Sequence, residues 1–221
     1  QAQSPVPVRT LKSRCIGFQT DQALPQLFAH AVTAPPEAVG TPVAVKSYLN
    51  HEAESLMVSG AEILFTSAAD RASIKDKLVA RLKVPATLRT AILMFLPGDG
   101  RPGSPPCRIL PIDDSIGAFP RGSLKVINLS QAPLRIELEK KPFDFKSGET
   151  RLIEDPPVGD ANASAMRSFS FRDGEWRKVA AGNWPHPGQK RVLQVAFDNA
   201  ASGSVEMRGI RDIAVRDNGT P

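Results

Sequence analysis

The segment GSLKVINLSQAPLRIELEKKPFDF, Gly122 to Phe145, sets the fold class. Ser123 to Leu129 is a strand-like run carrying Leu124, Val126 and Ile127. Leu134, Ile136 and Leu138 then alternate with Arg135, Glu137 and Glu139. Strand side chains point to opposite faces with period two, so the second run has one apolar and one charged face. Ser130-Gln131-Ala132-Pro133 reads as a tight reversal between them, which predicts a hairpin. A half-buried hairpin needs another sheet over its apolar face, so the expectation is an all-β sandwich.

Working outward toward the C-terminus, Thr150 to Glu154 is another strand, ended by Asp155-Pro156-Pro157, with a polar loop from Gly159 to Ser164. Ser168 to Arg172 and Glu175 to Val179 flank Asp173-Gly174, and Asp-Gly favours the type I′ hairpin turn. Arg191 to Phe197 and Ser204 to Arg208 predict a last hairpin. Toward the N-terminus, strands are expected at Val8 to Phe18, Gln26 to Val32, Val43 to Leu49, Glu62 to Thr66, Arg89 to Leu96 and Cys107 to Ile112. Ile74 to Val84 fits either period, with the strand favoured and helix allowed from Ala72 to Lys77. The seam is expected at Asp113 to Arg121. It separates an N-terminal part, 8–112, from a C-terminal part, 113–216, with extended or mobile tails at 1–7 and 217–221. The two parts either share one core or form two sandwich halves.

The chain has 221 residues, enough to bury a core without staples. Twenty prolines and sixteen glycines suit many short strands joined by turns rather than a helical bundle. The longest apolar run, Ala91 to Pro97, is far too short to span a membrane as a helix, so no transmembrane segment is expected. The formal net charge is +5, but basic and acidic residues are interleaved along the chain, which reads as a solvated surface rather than a nucleic-acid footprint. The start, Gln1-Ala2-Gln3-Ser4-Pro5, resembles the residue of signal cleavage, so an exported protein is expected.

The sequence motifs argue against catalysis. Gly98-Asp99-Gly100-Arg101-Pro102-Gly103 matches G-x-G-x-x-G, but prolines and a strand follow it where a dinucleotide site needs a helix. His51-Glu52 begins like a zinc-protease helix, but Ser55 stands where the second histidine belongs. His30, His51 and His186 have no metal-ligand spacing. There is no G-x-S-x-G elbow, and no neighbouring group activates Cys15 or Cys107. Asp113 and Asp114 are adjacent, so on a strand they face opposite ways and could not flank one glycosidic bond. No enzyme activity, cofactor or metal is expected. Trp184, in Trp184-Pro185-His186-Pro187, is the surface-aromatic candidate for a glycan contact, with a core-capping role as the alternative. Cys15 and Cys107 are expected to form a disulfide tethering the first strand, the alternative being two separate buried thiols.

Phe119-Pro120-Arg121-Gly122-Ser123, Lys125-Val126-Ile127-Asn128-Leu129-Ser130, Glu175-Trp176-Arg177, Gln189-Lys190-Arg191 and Arg208-Gly209-Ile210-Arg211-Asp212 carry a loose resemblance over roughly residues 105 to 213. The chain resembles the exported immunoglobulin-like proteins linked to type IV pilus-like gene clusters of mucin-associated bacteria. That resemblance implies an immunoglobulin-like antiparallel β-sandwich, in the periplasm, on the outer membrane surface or outside the cell. It also implies partners among envelope or pilus proteins, and it brings no catalytic residues. Host glycans are the other partner class to weigh.

Overall fold

The structure, a computed structural model, describes residues 8–19, 24 and 26–213. The tails expected at 1–7 and 217–221 lie outside the described residues. The chain is nearly all β, with 56% strand and 3% helix, in sandwiched sheets. It divides into two compact units between Ser115 and Ile116. The last strand of the first unit runs through Asp113, and Asp114 is ion-paired to Arg14 inside that unit, so this segment is held to the N-terminal side.

The first unit contains β1 (Val8–Gly17), β2 (Leu27–Ala31), β3 (Thr41–Val43), β4 (Val45–Lys46), β5 (Glu54–Ser59) and β6 (Glu62–Thr66). A short helix, α1 (Ile74–Lys77), leads into β7 (Leu78–Lys83), β8 (Thr90–Pro97) and β9 (Cys107–Asp113). Hydrogen bonding runs β3-β2-β6-β5-β1-β8-β9, with β7 on β6 and β4 on β1. Gly60 and Ala61, both at positive φ, make the β5–β6 turn, and the two strands pair only at Ser59 and Glu62. Beyond that point they part company, so the sheet folds back over its own core. Leu11, Leu56, Leu93 and Phe95 on one side meet Leu27, Ile63, Phe65 and Leu82 on the other. Phe65 and Phe95 touch edge to face across it, with ring centroids 5.3 Å apart.

Two expectations for this unit change. The single strand predicted from Val43 to Leu49 is two short ones that end at Lys46. Val43 pairs with Leu27 on β2, whereas Val45 pairs with Cys15 on β1, so the chain changes partner at Ala44. The alternation that suggested one strand is real, but it serves two neighbours. The strand β5 had no counterpart in the sequence reading. In the ambiguous stretch the helical period applies to Ile74–Lys77 and the strand period from Leu78 onward.

The second unit contains β10 (Leu124–Asn128), β11 (Leu134–Leu138), β12 (Lys141–Phe145) and β13 (Thr150–Ile153). These are followed by β14 (Ala163–Arg172), β15 (Glu175–Pro185), β16 (Arg191–Asn199) and β17 (Ser204–Asp212). One sheet runs β13-β10-β16-β17 and the other β12-β11-β14-β15. Leu124, Val126, Ala196 and Val205 from the first pack against Leu134, Ile136, Leu138 and Met166 from the second, which makes a sandwich. The expected hairpin between β10 and β11 is not formed, because the two strands lie in opposite sheets. All five residues of β10 are buried, so this strand is interior and its continuation crosses the core instead of pairing beside it.

Asn128 holds that crossing. Its amide nitrogen donates to Ala132 O at 2.9 Å and Lys146 O at 3.0 Å, and its amide oxygen accepts from Ser130 N and Ser130 Oγ. The real hairpin follows one strand later, where β11 and β12 turn through Glu139 and Lys140, both at positive φ. The Asp173-Gly174 turn is as expected, with φ of 53° and 84°. Most pairings are antiparallel, but β1 runs parallel to β8 and β4, and β10 parallel to β16.

Candidate functional site

The Cys15–Cys107 bridge is not formed, and both cysteines are free and buried. Strand register gives the reason. Cys15 lies beside Leu93 on β8, and Cys107 lies beside Pro97 on the far side of the same strand. Four residues along a strand and two strand spacings put the Cα atoms roughly 16 Å apart. A disulfide needs them within about 7 Å. Both thiols sit in the first unit's core, where burial pushes that of Cys15 up to about 12 and raises that of Cys107. They pack as small apolar groups.

Trp184 lies on the last turns of β15 rather than in a loop, paired with Ser164 of β14. It is half-buried and packs against the second unit's core, together with Ala180 and Met207. It also lines a cleft of about 410 Å³ between the β15 edge of one sheet and the β16–β17 hairpin of the other. That size falls in the usual range for small-molecule sites.

The cleft exists because the core face carries the wrong residues for a core. Along β17, Val205 and Met207 face the core, and the same period then presents Gly209 and Arg211. Beside them on β16, Val192 and Ala196 flank Gln194. On β15, Gly182 stands between Ala180 and Trp184, with open space where its Cβ would be. Two glycines remove the side chains that would fill this end of the sandwich. Gly209 has a further role, since a Cβ there would lie 3.2 Å from Gln194 Oε1 and crowd its amide. Interior strand glycines mark such close approaches.

The polar lining comes from Asn183, His186, Lys190, Gln194 and Arg211, and no Asp or Glu lines the cleft. Gln194 is 8% exposed, yet its amide makes no hydrogen bond with a described residue. Lys190 and Arg211 make no ion pair with a described residue. His186 Nδ1 accepts the Gly188 N–H at 3.0 Å, and its own N–H donates to Asn162 O, which fixes the loop that closes the cleft. The sequence reading singled out Trp184. It missed Gln194, Gly209 and Arg211, although Gly209 breaks the apolar period of β17.

A second surface feature is β15 itself. It is eleven residues long and ends its sheet, and none of its residues is buried. Glu175, Arg177 and Lys178 occupy its first part, and Val179 to Pro185 carries no charge. A register shift between Ser168 and Phe169 leaves Val179 as an extra residue between these parts. Trp176, on the charged part, is covered by the Arg135 guanidinium at 4.5 Å, which Asp144 holds in place. That ring is committed to the fold.

Among the described residues no group of three or more His, Cys, Asp or Glu is placed to hold a metal ion. The G-x-G-x-x-G segment forms part of the loop joining β8 to β9, and among the described residues no helix is long and apolar enough to cross a membrane. No family model matches this sequence, and no curated protein is significantly similar to it.

Proposed function

We propose that this chain is a non-enzymatic, exported β-sandwich protein that acts through contacts with protein partners of the cell envelope, in the manner of pilus-associated proteins. The observation that carries this reading is the uncharged half of β15. Sheet edges are normally guarded by charge, proline or brevity, because their open N–H and C=O groups recruit further strands. Here Ala180-Ala181-Gly182-Asn183 leaves that row open at an exposed edge, which suits addition of a partner's strand. The envelope setting rests on the sequence resemblance. The test is crosslinking of the protein in an envelope fraction. A discrete heteromeric product is expected, reduced about tenfold by Ala181→Lys, which places a guarding charge on the edge. Absence of such a product, or an undiminished one with the variant, refutes the reading.

A second reading, glycan adhesion, is favoured by the cleft, where an aromatic wall meets polar side chains with hydrogen-bonding capacity to spare. Saturable binding of a sugar that perturbs Trp184 supports it.

A further inference from the structure

We infer that the cleft between β15 and β17 takes an acidic sugar, one bearing a carboxylate, and this inference rests on the glycan reading. Three independent features converge on that chemistry.

The first is charge. Lys190 and Arg211 line the cleft with no carboxylate among the lining residues, and neither is neutralised by an ion pair with a described residue. Both side chains are exposed, and two like charges beside one cleft raise the local concentration of anions there. A guanidinium matches a carboxylate with two parallel hydrogen bonds, which gives it geometric selectivity as well as attraction.

The second is Gln194. Its amide makes no hydrogen bond with a described residue and lines the cleft, so its polar atoms are open to a ligand there. It offers donors and an acceptor together, as Asn183 does at the rim, and this mixed pattern matches hydroxyl groups, which also donate and accept. A bare inorganic anion supplies acceptors alone. Gly209 preserves the arrangement by leaving room for the Gln194 amide, whose Oε1 and Nε2 would lie 3.2 and 3.3 Å from a Cβ at that position.

The third is Trp184. Its ring forms one wall, with an apolar face of the kind that receives the C–H face of a sugar ring, while its other contacts anchor it in the core. A rigid aromatic on a strand loses little freedom on binding.

The test uses the full chain carrying Trp176→Phe, so that Trp184 is the single indole reporter. Its fluorescence is followed during titration with glucuronic acid, glucose and acetate at one pH and ionic strength. Glucuronic acid is expected to give saturable binding at least about tenfold tighter than glucose, with no saturation by acetate. Arg211→Met together with Lys190→Met should reduce glucuronic acid to the affinity of glucose. Gly209→Ala should weaken both sugars by about threefold or more with an unchanged circular dichroism spectrum. Equal binding of glucose and glucuronic acid overturns the acidic preference and leaves the glycan reading standing. No saturable sugar binding overturns both. Acetate binding as tightly as glucuronic acid assigns the cleft to simple carboxylates and overturns the sugar. If the double variant retains the preference for glucuronic acid, the two cations are not its source and the inference fails.

Discussion

His30 shows how one buried side chain ties stability to pH. It is 2% exposed on β2, and its Nε2 lies 2.9 Å from Thr66 Oγ1. Gly40 makes the room, since a Cβ there would come within 2.6 Å of the imidazole. Burial is the main cause that lowers the His30 proton affinity below that of a free imidazole, with Arg71 adding to it. The unfolded chain has no such penalty and takes up its proton as pH falls through about 6.5. Between that value and the lower folded one, the unfolded state holds more protons, so stability falls as pH falls. Urea unfolding midpoints should therefore drop between pH 7.5 and 5.5, and His30→Gln should flatten that drop. An equal drop in the variant would show that other groups cause it. The two thiols illustrate the complementary point. Each was legible as a cysteine able to bridge, but whether it could do so depended on a register of four residues along β8.

At the scale of elements, the arch from β10 to β11 is the feature on which the second sandwich turns. Asn128 satisfies two carbonyls and the Ser130 amide and hydroxyl within a site that excludes water, at 0% exposure. Asn128→Ala should destabilise the protein by about 2–4 kcal/mol, since several buried polar groups lose their partner at once. Chemical denaturation measures this, and a loss below about 0.5 kcal/mol would show that the arch is held by packing alone. The same burial means that the Asn128-Leu129-Ser130 sequon is closed to modification in the folded protein. Strand positions were readable here because alternation is a local property: β11, the β14–β15 turn and the β16–β17 hairpin all show it. Pairing was not readable, because Pro133 stops a strand equally well in a hairpin or in an arch. The β11–β12 hairpin was hidden for the opposite reason, as Glu139 and Lys140 adopt positive φ without the usual glycine or asparagine. Trp184 could be picked out of the candidate site because large aromatics are few. Gln194, Gly209 and Arg211 gain their meaning only from lining one cleft together, and that depends on the sheet.

At the scale of the whole molecule, each unit closes a core of its own, and in each an arginine and an aspartate pair in the interior. Arg14 meets Asp114 at 2.8 Å, and Arg191 meets Asp212 at 2.8 Å while its guanidinium also lies 4.5 Å over the Phe119 ring. Arg191 further donates to Phe119 O at 2.7 Å. In both pairs the aspartate comes at the end of its unit's last strand or just past it, and the arginine comes from a strand nearer the middle of its sheet. A chain ending before Asp212 would leave Arg191 a buried charge without its counterion, at a cost of about 3–5 kcal/mol. Truncation after Ile210 should therefore lower the denaturation midpoint of the second unit far more than truncation after Ile213, which keeps Asp212, and equal midpoints for the two shortened chains would contradict this. The parallel pairing of β10 with β16 extends the same dependence to synthesis. Leu124 emerges early and its neighbour Val192 late, so β10 leaves the ribosome with one flank unmatched and must wait through most of the unit for it. During that interval an apolar strand meant for the interior is exposed to whatever else can pair with it, and a chaperone that shields it would act before the protein has any function to perform.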